Sequence, residues 1–175
     1  MFFNNNNKPF SKKTKGDRLN FSSWTPFAKK DEYLKGYFDF PSYQFKSDSD
    51  VKRIRTFTLL GLMESIVNRG NVKNFAECGC YLGQSSYAIS KFLLKNNFKE
   101  KFHIFDSFEG LSDPVDNDLN SISSNINSNT LKKLFKGKER MFKGNYNNYI
   151  SLMNDFEFIK VYKGWIPKRF NEVSK

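Results

Sequence analysis

Four residue types are scarce in this chain of 175 residues, which contains 3 Ala, 5 Pro, 10 Gly and 2 Cys. Two cysteines are too few for a disulfide framework, which excludes the small disulfide-stabilised secreted domains. Apolar stretches such as Leu59–Met63 are only a few residues long, whereas a membrane-spanning helix needs roughly 20. Residues 1–16 also lack the apolar segment of a secretory signal. We therefore expect a cytoplasmic protein without a membrane partner.

Aromatic residues are abundant by contrast, since 20 Phe, 8 Tyr and 2 Trp make up 17% of the sequence. A chain this aromatic can bury enough surface to fold, which excludes wholesale disorder. Its length suits one domain. From the local composition we expect a disordered basic tail at 1–20, an aromatic N-terminal arm at 21–47 and the folded domain at 48–175.

The net charge of +11 raises the question of nucleic-acid binding. Three stretches, 1–20, 129–145 and 160–175, carry all of this excess. Lysine outnumbers arginine 23 to 6 and asparagine reaches 20, a bias typical of an AT-rich genome rather than of selection for phosphate contacts. We therefore interpret the basic stretches as solvated tails and faces. Nucleic-acid binding stays a second alternative, which salt-dependent binding to generic DNA or RNA would support.

The spacing of apolar residues predicts an α/β protein. Cap candidates at Ser47–Asp50 precede apolar positions that recur about every 3.6 residues up to Val67, and Gly70 can end that helix. The elements expected in all are strands at 74–81, 101–108 and 156–162, helices at 51–67, 84–96 and 146–154, a short helix at 130–135 and a polar loop at 112–128. Alternating strands and helices predict a parallel sheet with adjacent strands. Because such sheets usually have more strands, the sequence is expected to be cut off at its C-terminus.

The most informative motif is Glu77-x-Gly79-x-x-x-Gly83, which joins the first strand to the next helix. It lacks the lysine of a P-loop, and Tyr81 occupies the position of the middle glycine in a dinucleotide fingerprint. The spacing is instead typical of S-adenosylmethionine sites. Amides at the helix start, with the hydroxyls of the serines at 85–86, could hold a carboxylate. Glu77 as an ordinary strand-end charge remains open; if buried, it needs a partner such as a ligand ammonium.

A second acidic residue, Asp106, stands at the end of the second strand, 23 residues after Gly83. A carboxylate at this edge of a parallel sheet can accept hydrogen bonds from both ribose hydroxyls of a nucleoside. The alternative is that Asp106 caps the turn that follows it. The residue types at these positions leave both interpretations open.

Other kinds of site find little support. His103 is the single histidine and lies within a predicted strand, which indicates a core or edge position and leaves no serine triad. Cys78 and Cys80 have no second Cys or His pair nearby, so we expect no zinc and interpret both thiols as small buried groups on one strand face. The acidic residues at 113–118 lack the glycine and final glutamate of a calcium loop.

Three segments together resemble the macrocin O-methyltransferase (TylF-type) family. They are ECGCYLGQSSYAISKFL, HIFDSFEGLSDP and GNYNNYISLMNDFEFIKVYKGWIPKRF, and the resemblance covers roughly 48–173. Its most specific part is DSFEGL followed by a proline, and the next is Gly164-Trp165 with Pro167 after the third strand. The resemblance implies the N-terminal portion of a Rossmann-like class I methyltransferase fold, with three parallel strands flanked by helices.

The resemblance also implies which residues contact S-adenosyl-L-methionine. These are Glu77, Gly79, Tyr81 and Gly83 in the cofactor loop, Ser85 or Ser86 near the methionine carboxylate, Asp106 at the ribose, Ser107 and Phe108 by the adenosine, and Gly164 and Trp165 on the adenine side. The catalytic residues are not assigned.

The activity implied is Mg2+-dependent methyl transfer to a hydroxyl of a small-molecule acceptor, a sugar or glycoside. The acidic metal motif of the family follows the next strand, and no Asp-x-Asp occurs after Gly164, so the Mg2+ ligands are not in this chain. A truncated, catalytically inactive cofactor-binding relative is therefore the first alternative, and a homo-oligomer is left open.

Overall fold

The structure, a computed structural model, describes residues 34–41, 48–112 and 141–173. Its elements in chain order are α1 (Lys35–Phe38), α2 (Asp50–Val67), β1 (Asn74–Cys78), α3 (Gln84–Lys95), β2 (Lys101–Asp106), α4 (Tyr146–Met153), β3 (Ile159–Lys163) and a 3-10 helix (Lys168–Glu172). The expected tail, most of the aromatic arm, nearly all of the polar loop and the short helix at 130–135 lie outside these residues. None of the helices described has the length and apolar content needed to cross a membrane.

The three strands form one parallel sheet in the order β1-β2-β3. The prediction of adjacent parallel strands is confirmed, with each strand slightly shorter than expected. Phe102 of β2 lies opposite Phe75 of β1 and Ile159 of β3, which sets the register of both pairs. β2 is the central strand, and four of its six residues are buried. Its carboxyl end is therefore flanked on both sides by the loops that follow β1 and β3.

Helix α2 begins where the sequence predicts. Ser49 is its N-cap, and the Ser49 hydroxyl accepts a hydrogen bond from the Lys52 amide at 3.4 Å. The helix ends at Val67, and Gly70 follows in a left-handed conformation with φ 71°. The Gly70 amide donates to the Val67 carbonyl at 3.0 Å, so this glycine closes the turn after the helix rather than the helix itself.

The hydrophobic core lies between the sheet and the helices α2, α3 and α4. Its buried members include Leu60, Met63, Ile89, Leu93, Phe102, Ile104, Tyr149, Met153 and Phe158. Fully burying a side chain of this size contributes roughly 1.5–3 kcal/mol. The core therefore fixes where α3 and α4 lie beneath the loops at the carboxyl end of the sheet.

The described part of the aromatic arm packs on α3. A Cβ atom built on Gly36 would lie 3.0 Å from the Cα atom of Ala88, so α1 and α3 approach with their backbones almost in contact. Tyr37 is fully buried, and its hydroxyl donates to Oδ1 of Asp48 at 2.7 Å. Arg53 forms an ion pair with Asp48, and its hydrogen bonds lower the pKa of that carboxyl. The start of α2 is thereby tied to α1.

The two cysteines differ in environment, which corrects the expectation that both are buried on one strand face. Cys80 is buried, whereas Cys78 is exposed at the end of β1. Strand alternation stops at Gly79, whose φ of 87° turns the chain into the following loop. Burial raises the pKa of the Cys80 thiol.

His103 is a buried residue of β2, which agrees with the interpretation that it is a structural histidine. It is 8% exposed, and its Nδ1 atom is 2.9 Å from the Tyr162 hydroxyl oxygen. Burial lowers the pKa of His103 below its usual value near 6.5, and the charges of Lys101 and Lys160 lower it further. The folded chain therefore resists protonation of this imidazole in a pH range where the unfolded chain accepts it.

This difference predicts a pH dependence of stability. Because the unfolded chain binds more protons just below pH 6.5, the free energy of unfolding should fall as the pH decreases through about 6.5 towards the folded pKa. In His103→Gln this slope should be shallower, since the side chain no longer titrates. Urea unfolding at about pH 7.5, 6.5 and 5.5 measures both slopes. Identical slopes in the two proteins would contradict the prediction.

Candidate functional site

The carboxyl ends of the three strands meet at one edge of the sheet, formed by Cys78, Asp106 and Lys163. The loops after β1 and β3 are both hydrogen-bonded to β2. The Gly79 amide donates to the Phe105 carbonyl at 2.8 Å, and the Gly164 amide donates to the Asp106 carbonyl at 2.9 Å. In parallel α/β sheets ligands bind at this edge. The site is built around the end of β2.

The Asp106 carboxylate organises two loops at once. Its Oδ2 atom accepts hydrogen bonds from the amides of Cys80 at 2.6 Å and Tyr81 at 3.0 Å. Its Oδ1 atom accepts from the amide of Phe108 at 2.6 Å, which is the turn cap that was the alternative interpretation. A carboxylate has about four acceptor positions, so capacity for a ligand hydroxyl remains beside these three bonds.

Glu77 lies beneath the glycine loop and holds the start of α3. Ser85 donates its hydroxyl to Oε1 of Glu77 and Ser86 donates its hydroxyl to Oε2, each at 2.5 Å. Burial raises the pKa of Glu77, the two hydroxyls lower it, and the charge of Asp106 raises it again. Because both serine hydrogens point at Glu77, they are not directed at a ligand carboxylate. The backbone amides of the first turn of α3 are the groups of this segment that can still donate to a ligand.

The two glycines of the motif have different roles. Gly79 has φ 87°, and a Cβ atom built on it would meet nothing within 4 Å, so its surface is open to a ligand. Gly83 also has φ 87°, but its Cβ atom would lie 2.7 Å from the Tyr149 ring and 3.1 Å from Met153. Gly83 therefore permits α4 to pack closely against the start of α3. It does not provide space for a ligand.

Two cavities open beside the glycine loop. The first has a volume of about 330 Å³ and is lined by Cys78, Gly79, Tyr81, Phe105, Asp106, Ser107, Gly110, Leu111, Phe142, Gly164, Trp165 and Ile166. The second has a volume of about 680 Å³ and lies between this loop and α2. Both fall in the size range of small-molecule sites. Gly79, Tyr81 and Phe142 line both cavities.

Most residues predicted from the sequence lie at these cavities. Those at the first cavity are Gly79, Tyr81, Asp106, Ser107, Gly164 and Trp165, and Ser85 lines the second. The other four, Glu77, Gly83, Ser86 and Phe108, line neither cavity. Their contacts place them behind the loop, where they support it.

Backbone strain is concentrated at the same place. Tyr81, Phe108 and Phe142 have φ values of 53°, 60° and 63°, a left-handed region that bulky residues rarely adopt. Strain of this kind tends to occur at functional sites. The rings of Tyr81 and Phe142 meet edge to face at 5.3 Å where the two cavities adjoin. The ring of Phe108 is instead buried against Tyr149 at 5.3 Å.

Sequence reasoning missed several residues of the site. The Trp165 indole donates to the Glu109 carboxylate at 3.0 Å, which joins the loops after β2 and β3. A Cβ atom on Gly144 would lie 2.6 Å from the Tyr81 carbonyl oxygen, so the segment before α4 presses on the glycine loop. In the sequence, the pair Gly144-Asn145 before a predicted helix indicates a turn at this position. Lys52 and Arg55 of α2 also face this loop across the second cavity.

No group of three His, Cys, Asp or Glu side chains that could hold a metal ion occurs within residues 34–41, 48–112 and 141–173. The structure therefore assigns no metal ligand in this part of the chain. The Mg2+ implied by the resemblance stays a prediction.

Comparison with known proteins shows the fold. No protein-family model matches the chain, and no curated protein does. The solved structure of the O-methyltransferase NovP is similar, with a TM-score of 0.51 and 12% sequence identity over 77% of this chain. The chain spans 53% of that protein, about half of its length. The similarity supports the predicted α/β fold, in which three parallel strands flanked by helices form a Rossmann-like methyltransferase architecture.

Proposed function

We propose that this chain binds S-adenosylmethionine and belongs to an O-methyltransferase whose acceptor is a small molecule with a sugar hydroxyl, as in the macrocin-type family that the sequence resembles. The observation that carries the proposal is the first cavity. It combines an open glycine at the end of β1, a carboxylate at the end of β2 and Gly164-Trp165 at the end of β3. The similarity to the O-methyltransferase NovP agrees with this assignment.

The chemistry of the first cavity fits an adenosine group. Phe105, Leu111 and Trp165 offer apolar surface against which a flat base can pack. The Asp106 carboxylate has remaining acceptor capacity for ribose hydroxyls. Ser107 adds a hydroxyl to the same wall. When bound, S-adenosylmethionine would supply an electrophilic methyl group.

The described residues contribute binding and orientation. Gly79 allows the ligand to approach the backbone closely. Glu109 holds the Trp165 ring at the cavity through the indole hydrogen bond. Tyr81 and Phe142 place aromatic surface where the two cavities meet. Fixing both reactants in this way accelerates a transfer reaction by proximity and orientation. We assign no general base to the described residues.

Calorimetry tests the proposal directly. S-adenosylhomocysteine should bind, and NAD should bind more weakly because Tyr81 occupies the position where a dinucleotide site needs glycine. ATP should also bind more weakly, because the loop lacks the lysine of a P-loop. Equal affinity for NAD would contradict the assignment. A radiolabelled methyl-transfer assay with Mg2+ and candidate glycosides then separates an active enzyme from a cofactor-binding relative without catalysis.

Gly79→Ala should lower the affinity for S-adenosylhomocysteine about tenfold, or about 1.4 kcal/mol. The added methyl group would occupy open space that both cavities share. Gly70→Ala is the matched control, since Gly70 also has positive φ and open surroundings but precedes β1, at the other end of that strand from Gly79, and lines neither cavity. Both variants carry a similar backbone penalty. If both variants bind as wild type does, Gly79 does not contact the ligand.

A further inference from the structure

Two aromatic side chains stand at the junction of the two cavities. Of the described residues, Gly79, Tyr81 and Phe142 are the three that line both cavities. Because Gly79 has no side chain, Tyr81 and Phe142 supply the side chains at this junction. Their rings contact edge to face, with centroids 5.3 Å apart. The passage from one cavity to the other is therefore bounded by an open glycine and an aromatic contact.

The backbone of Tyr81 is held from two sides. Its amide donates to Oδ2 of Asp106 at 3.0 Å. Its carbonyl oxygen lies so near Gly144 that a Cβ atom built on this glycine would be 2.6 Å away. A φ of 53° is rare for a bulky residue and persists only where surrounding contacts impose it. The loop thus fixes where the Tyr81 ring begins.

Phe142 reaches the junction from another segment of the chain, the one that precedes α4. The carbonyl of its neighbour Met141 accepts a hydrogen bond from the Leu111 amide at 3.1 Å, which ties this segment to the loop after β2. Phe142 also has a left-handed backbone, with φ 63°. Two conformationally strained aromatic residues from separate segments therefore meet at one point of the site, which favours a steric role for their rings.

We propose that Phe142, packed against Tyr81, limits the size of the alkyl group that a bound ligand carries on its 5′ sulfur. This inference rests on the proposed function, because a ligand with its adenosine in the first cavity brings its 5′ end to the junction at Gly79. Carbon atoms pack about 3.5–4.0 Å apart, so a group longer than methyl must displace a ring. Phe142 is then a specificity-determining residue for methyl.

The test compares S-adenosylmethionine with S-adenosylethionine by calorimetry. The two ligands differ by one methylene on the sulfur, and wild-type protein should bind the ethyl ligand about tenfold more weakly. Phe142→Ala should remove most of this difference, because the smaller side chain leaves room for the added methylene. Phe142→Leu should give an intermediate ratio of affinities, and it tests the same idea if the alanine variant does not fold.

Met141→Ala is the matched control, since Met141 is the exposed neighbour of Phe142 and lines neither cavity. It should keep the wild-type ratio. Both ligands share the adenosine and the amino-acid end, so a general distortion changes both affinities alike and leaves the ratio unchanged. An unchanged ratio in the folded Phe142 variants would refute the inference, as would equal affinities in wild-type protein. If wild-type protein binds neither ligand, the proposed function fails instead.

Discussion

Gly83→Ala should lower the free energy of unfolding by about 3 kcal/mol, the sum of two effects. The left-handed backbone at φ 87° disfavours any residue with a Cβ atom by roughly 1–2 kcal/mol. The new methyl group would also lie 2.7 Å from the ring of Tyr149, which is 2% exposed and packed in the core. Overpacking of this kind costs about 1–3 kcal/mol. Urea unfolding monitored by circular dichroism measures the change.

Gly70→Ala separates the two effects. Gly70 has a similar φ of 71°, but its Cβ atom would meet nothing within 4 Å, so only the backbone effect of about 1 kcal/mol applies. The difference between the two variants is then the packing contribution at the contact between α3 and α4. Equal losses in both variants would show that Tyr149 moves aside and that Gly83 is needed only for its backbone conformation.

Asp106→Asn should be about as damaging, with an expected loss of roughly 3 kcal/mol. The carboxylate accepts three backbone hydrogen bonds, from Cys80, Tyr81 and Phe108. An asparagine has one acceptor oxygen, so its NH2 group must face at least one of these amide donors. Hydrogen bonds to a charged group contribute about 1.5–3 kcal/mol each. The amides of Cys80 and Tyr81 share the Oδ2 atom, so the variant can lose one or two of these bonds.

The same variant should also weaken S-adenosylhomocysteine by at least about tenfold, since the two loops that bound the first cavity lose their common anchor. Asp155→Asn is the matched control, because Asp155 is exposed after α4 and away from the cavity. A variant that keeps wild-type stability but loses binding would show that Asp106 serves the ligand alone and not the loops.

Much of the fold follows from local sequence patterns. Ser49 and the apolar spacing of Ile54, Leu60 and Met63 predict α2 with nearly its observed bounds. The strands are predicted in the same way, since buried parallel strands are short apolar runs between turn residues. The described 3-10 helix at Lys168–Glu172 is not predicted, because it starts after Pro167 without a periodic apolar face.

The site follows only in part. Its location at Gly79 and Asp106 is predictable, because the strand ends bring these residues to one edge. Their partners are not, since the bond from Ser86 to Glu77 depends on how α3 packs beneath the loop. Arg55 lines the same cavity as the glycine loop only because of how α2 packs against α3. Side-chain partners across elements carry no periodicity that a single sequence can reveal.

The unequal connections between the strands bear on the order in which the chain folds. Residues 79–100 join β1 to β2, whereas residues 107–158 join β2 to β3. Closing the longer loop costs about 0.8 kcal/mol more in chain entropy. The β1-α3-β2 unit should therefore form first and leave the β3 side of β2 unpaired for a time. An open strand edge in such an intermediate can pair with another molecule, so the yield of refolded protein should fall as its concentration rises.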